Sequence, residues 1–266
     1  MKRTTTATII GAATAIALAA CGSGGASEGD TVKLNSLSKD VNSAMEDAGS
    51  GTMKVKSTGV QLDGDFELGK KEAASISGKT GGQDLDIRLV DGTHYLKAPS
   101  PQVTQKGKSW IKADPEAKNP QEQQMATSMQ AMVDLRDPFA SIKGAGDVDA
   151  EVTKVEDGKV TYEVKLSKKQ MGKALEHQAK EAGNEQGAAM AAQQAQKTTT
   201  TLVVDEDQRP VKATTKSGQA SLDITYSGWG DDVSVKAPPK DKVGTLKIPK
   251  QPSGGAAPGG GSGSSN

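Results

Sequence analysis

Cysteine is almost missing from this chain: Cys21 is the only one in 266 residues. That excludes an intramolecular disulfide and any cysteine-rich metal site. Aromatic side chains make up only 3 %, as two Trp, three Tyr and two Phe. A site that stacks rings has few residues to draw on, so the core is expected from Val, Ile, Leu, Met and Ala. The two histidines, His94 and His177, have neither a second His nor a Cys at ligand spacing, and no zinc site is expected. Net charge is absent too. The 33 acidic and 33 basic side chains balance, which gives no electrostatic case for nucleic acid. No Gly-x-Ser-x-Gly elbow occurs, and the acidic residues alternate along strands instead of following a calcium loop with its Gly. No catalytic residue, metal or cofactor is therefore expected, and the chain is read as a non-enzyme.

What is present begins at the N-terminus. Met1-Lys2-Arg3 is a short cationic start, and residues 7–20 carry no charge. That run has signal-peptide length and is too short to cross a bilayer. It ends Leu18-Ala19-Ala20-Cys21-Gly22. This segment resembles the lipobox of bacterial lipoproteins. The resemblance implies cleavage before Cys21 and acyl chains, such as palmitate, joined through its thiol. Two such chains anchor far better than one, since each buried CH2 contributes about 0.8 kcal/mol. The lone cysteine thus gains a role: lipidation at Cys21, holding the protein to the outer face of the cell membrane.

Four segments follow from composition. Residues 1–20 are a signal peptide, 21–31 a Gly/Ser tether, 32–248 a folded domain, and 249–266 a Pro/Gly/Ser tail expected to be disordered. The domain opens with a helix, because Leu34, Leu37, Val41, Ala44, Met45 and Ala48 recur at three- and four-residue steps. Gly49 and Gly51 end it. Strict alternation then predicts strands. Val60, Leu62, Phe66 and Leu68 share one face; Gln61, Asp63, Asp65 and Glu67 share the other. Residues 84–89, 160–166 and 219–226 repeat the pattern, with weaker strands at 52–57, 73–77, 93–97, 109–112, 150–155, 199–204, 211–215 and 233–235. One dry face and one wet face mean an antiparallel sheet. Asp91-Gly92 and Asp157-Gly158 read as tight hairpins.

Two helical inserts interrupt the strands. Asn119-Pro120 is a helix start, followed by a stripe of Met125, Met129, Met132 and Val133. Ser167 with Gln170 reads as a capping box, followed by Met171, Ala174 and Leu175. Residues 183–196, rich in Ala and Gln, are left open between a surface helix and a mobile lid. The expected fold is α+β: a single curved antiparallel sheet, an unclosed half-barrel, with helices covering the concave face.

The C-terminal third adds a family likeness. Leu202-Val203-Val204-Asp205 leads through a turn to Arg209-Pro210-Val211-Lys212; then come Tyr226-Ser227-Gly228-Trp229-Gly230 and Ala237-Pro238. This pattern resembles the actinobacterial LppX/LprG-type lipoproteins, relatives in fold of the LolA and LolB carriers. Gly228 stands where an acidic residue is common, and Asp231-Asp232 replaces a basic-Pro pair. The resemblance implies a half-barrel whose apolar cavity takes the acyl chains of a lipid or glycolipid. The candidate lining residues are Met45, Leu62, Phe66, Leu85, Ile87, Met125, Met129, Met132 and Met171. Methionine fills cores, but its flexible thioether also suits an adaptable pocket. The partners expected are the membrane, through Cys21, and one lipid, with the protein a monomer. A hollow apolar cavity is the sign of such a carrier, and a solidly packed concave face would sink that reading. The alternative is a cell-surface binding or sensing lipoprotein with no transfer activity.

Overall fold

A computed structural model of the chain describes residues 25–69, 72–183 and 185–247. The signal segment 1–20, the lipidation site Cys21, residues 21–24 of the tether and the tail 249–266 lie outside the described residues.

Helix α1 (Leu34–Ala48) forms where the apolar stripe predicts it, burying Leu34, Leu37, Val41 and Met45. It stops at Gly49, whose φ of 77° is left-handed and whose N–H closes the last turn on the Met45 carbonyl. Short β1 (Thr31–Lys33) precedes it. Residues 29 and 30 are not free tether: Gly29 N–H donates to the Val152 carbonyl, and Val152 N–H donates to the Asp30 carbonyl.

A meander follows: β2 (Ser50–Ser57), β3 (Val60–Glu67), β4 (Ala73–Thr80), β5 (Gln83–Val90), β6 (Thr93–Lys97) and β7 (Trp110–Ala113). Helix α2 (Pro120–Val133) starts at Asn119, whose side chain accepts from Gln121 N–H. Two single 3-10 turns, 134–136 and 140–142, lead to β8 (Asp149–Glu156) and β9 (Lys159–Leu166). Helix α3 (Lys168–Glu181) opens on the Ser167/Gln170 capping box. Residues 185–193 are helical as α4 (Glu185–Gln193) and pack against α3. The chain ends with β10 (Thr198–Val204), β11 (Pro210–Ser217), β12 (Ala220–Ser227) and the two-residue β13 (Val243–Gly244).

All thirteen strands form one sheet in the order β1-β8-β9-β10-β11-β12-β2-β3-β4-β5-β6-β7-β13. Every pairing is antiparallel except β13 with β7, so the all-antiparallel expectation is corrected at one edge. That pair is parallel because a 129-residue path separates the two strands, and no hairpin dictates direction. The hairpins Asp91-Gly92 and Asp157-Gly158 have positive φ at both residues, the geometry that matches strand twist. The two sheet edges, β1 and β13, are not paired with each other, so the sheet stays open.

Helices cover one face. The Leu34 N–H donates to the Val148 carbonyl beside β8, while the end of α1 feeds β2. Those strands stand five places apart, roughly 24 Å at the usual spacing. A helix of 15 residues is about 22 Å long, so α1 lies across the strands between. Helix α2 covers β4, β6 and β7, and α3 covers β9.

The strand expected at 233–235 does not form. Val233 and Val235 do alternate with polar neighbours, but the segment crosses the sheet's outer, wet face and finds no ladder. It is held instead by side chains: Val235 N–H donates to Glu67 Oε1 at 3.1 Å, and Arg88 Nη1 donates to the Lys236 carbonyl at 3.0 Å.

Candidate functional site

Alternation in β3 and β5 sends Leu62, Phe66 and Ile87 inward, and the helical stripes of α1, α2 and α3 bury Met45, Met129 and Met171 on the same covered face. Leu85, Met125 and Met132 are half-buried at the margin of the same apolar cluster. All nine belong to the one apolar cluster of the covered face, but they are spread along it, from Met171 on α3 over β9 to Met129 on α2 over β4, β6 and β7. Phe66 and Ile87 are 1 % exposed, Leu62 2 %, and Met45 and Met129 3 %, which leaves no water-sized void against them. Two glycines let the sheet fill so tightly. A β-carbon at Gly64 would stand 2.9 Å from Met53 Cε, and one at Gly51 would stand 2.8 Å from Phe66 Cζ.

Two recesses among the described residues lie elsewhere. One, of about 650 Å³, opens on the wet face between Asp65, Ser75, Arg88 and the strap 231–236. The other, of about 200 Å³, lies between α1 and residues 137–146. Both are of mixed polar and apolar lining, and neither is lined by any of the nine candidate residues. No group of three or more His, Cys, Asp or Glu among the described residues is arranged to hold a metal.

A polar cluster sits beside the apolar one, and the sequence patterns missed it. His94 points inward from β6 and is 3 % exposed. Its Nε2 lies 2.8 Å from Gln130 Oε1 on α2, and Gln130 Nε2 donates to Asp134 Oδ1 at 2.6 Å. Burial pushes the Asp134 carboxyl above its ordinary value, against the Gln130 bond that lowers it. Burial does the same to Asp137, whose Oδ1 accepts from Phe139 N–H at 2.8 Å. Arg136 is lowered by burial and pairs with Glu72. Tyr226, raised well above the usual phenol value by burial, donates to the Leu135 carbonyl. One signal for His94 was available: it shares the inward face of β6 with Leu96. Its partners are 36 and 40 positions away, which no local pattern connects.

Aromatics concentrate at this end of the sheet. Trp229 stacks on Tyr226 at 6.1 Å, meets Phe66 edge-on at 5.6 Å, and donates from Nε1 to the Pro210 carbonyl. The Tyr-Ser-x-Trp-Gly segment is thus a structural corner that locks β12 to β11 and β3.

No family model matches the sequence, and no curated protein matches it. Among the solved structures similar to the fold are the following three. Lipoprotein LppX of Mycobacterium tuberculosis is 15 % identical at a TM-score of 0.44, over 76 % of this chain and 100 % of that one. LprF of Mycobacterium bovis is 12 % identical at 0.42, over 77 % and 98 %. A LolA superfamily protein of Nitrosomonas europaea is 7 % identical at 0.35, over 76 % and 96 %. These are the kinds of protein that the C-terminal motifs resemble. At such scores the likeness transfers no ligand and no residue role. No helix among the described residues is long and apolar enough to cross a membrane.

Proposed function

We propose that this is a lipoprotein held by lipidated Cys21 at the outer face of the cell membrane, where it binds the acyl chains of a lipid or other amphiphile. The supporting observation is the construction of the covered face. An open sheet presents an apolar surface that separate helices roof, and α2 buries Ala126, Met129 and Val133 while Met125 and Met132 are half-buried at its margin. Leu85, Leu96 and Leu222 are likewise half-buried at the margins of that surface. The packed concave face stands against a preformed carrier cavity, so the reading requires opening: α2 lifts to admit acyl chains and reseats over them with the Gln130–His94 bond remade, while the methionines repack.

The same packing favours a second reading, a surface binding or sensing lipoprotein that never opens. Mass spectrometry of lipid extracts separates the two. The domain is expressed with Cys21 replaced, in a host with a comparable envelope, and purified without detergent. A stoichiometric lipid, reduced by Met125→Glu in a protein that keeps its native circular dichroism, supports binding. A clean protein that takes up no added lipid rejects it in favour of the sensing module.

A further inference from the structure

The part-buried chain His94, Gln130, Asp134 has a direction. Asp134 as a carboxylate can only accept, so the Gln130 amide must turn its NH2 towards it, at 2.6 Å. Gln130 Oε1 then faces His94 at 2.8 Å and requires a proton on Nε2. In the neutral ring the other nitrogen, Nδ1, is left as a bare acceptor. That atom is buried and has no hydrogen-bond partner among the described residues. Its strand neighbours are apolar: His94 stands in register with Leu89 and Ala113. Leu89 is 3 % exposed and Ala113 not at all. A buried acceptor without a donor costs free energy, and native proteins rarely keep one.

We infer that His94 Nδ1 is the polar anchor of the covered face and accepts a hydrogen bond from a hydroxyl of the bound amphiphile. This inference rests on the lipid-binding reading above. It narrows the ligand to amphiphiles with a free hydroxyl near the chain, such as acylglycerols or glycosylated lipids. Molecules offering only ester or ether oxygens have no donor for the site. A charged ammonium donor is disfavoured, because the strand neighbours of His94 are apolar and an ion there loses its hydration. Gln130 and Asp134 are positioning residues: they fix which ring nitrogen is bare. The place suits a boundary between chain and head group, since Arg136, Asp137 and the Tyr226 hydroxyl gather around the turn that follows α2.

A matched pair of probes tests this: a monoacylglycerol and its di-O-methyl ether, titrated into the Cys21-free protein by calorimetry. The wild type is expected to prefer the hydroxylated probe by about tenfold, the scale of one hydrogen bond to a buried acceptor. His94→Phe keeps the ring volume and is expected to bind both probes alike, at the affinity of the ether. Where His94→Phe fails to fold, nitrogen NMR of the wild-type imidazole decides: the Nδ1 resonance moves with the hydroxylated probe and stays put with the ether. Equal wild-type affinity for both probes overturns the anchor and leaves the lipid reading standing. So does a crystal structure of the complex with only water at Nδ1. Failure of the wild type to bind either probe overturns both.

Discussion

Gly51 and Gly64 both stand where a side chain would collide, yet their neighbours differ in freedom. The β-carbon of Gly51→Ala would lie 2.8 Å from Phe66 Cζ and 2.9 Å from Trp229 Cε3. Phe66 is fully enclosed, and Trp229 is pinned by its bond to the Pro210 carbonyl, so neither ring can yield. Overpacking of this kind costs about 1–3 kcal/mol. The β-carbon of Gly64→Ala meets the end of the flexible Met53 side chain, which can rotate away. Urea unfolding followed by tryptophan fluorescence is expected to give a larger loss for Gly51→Ala than for Gly64→Ala; the reverse order contradicts the rigid aromatic corner. Legibility at this scale followed the same division. Period-two alternation told Leu62, Phe66 and Ile87 to point inward, and they do. Nothing local told His94 that Gln130 and Asp134 would meet it, because hydrogen-bond partners across a fold leave no periodicity.

Helix α2 is the element on which the proposed uptake turns. Its single cap, Asn119 accepting from Gln121 N–H at 2.9 Å, is exposed and touches no proposed ligand contact. Asn119→Ala removes about 1 kcal/mol of helix stability, which raises the open population about fivefold. Lipid uptake is expected to quicken by that factor, with faster hydrogen exchange over 120–133 and little change over α1. Unchanged uptake beside accelerated exchange would show that α2 is not the gate. The sequence was readable here because caps are local: Asn119-Pro120, Ser167/Gln170 and Gly49 all act as their types dictate. Residues 233–235 were misread for the complementary reason. Alternation reports a two-faced extended segment, but a strand also needs a neighbour, and this one lies over the polar face with only Glu67 and Arg88 to hold it.

Across the whole molecule, hairpin neighbours were legible and distant neighbours were not. Turn signals link β5 to β6 and β8 to β9, but β12 beside β2, and β1 beside β8, are set by the burial of α1 across the sheet. The segment 134–137 carries two part-buried carboxyls whose titration the whole fold feels. Asp134 and Asp137 are both raised above the ordinary value of 3.8, chiefly by burial. The native state therefore holds its protons to a higher pH than the unfolded chain does. Between the two values the folded form binds more protons, so stability falls as pH rises. This contribution is complete below the unfolded value and lost once the folded groups ionise. Asp137→Asn keeps the acceptor for Phe139 N–H and removes the charge. Relative to wild type, its melting temperature is expected to be equal or higher at neutral pH, with the advantage shrinking as pH drops towards 4. A variant that is less stable at neutral pH, and regains stability in acid, would mean that the Asp137 charge is paired rather than stranded. The neighbouring Arg136 would then be its partner in solution, in competition with Glu72.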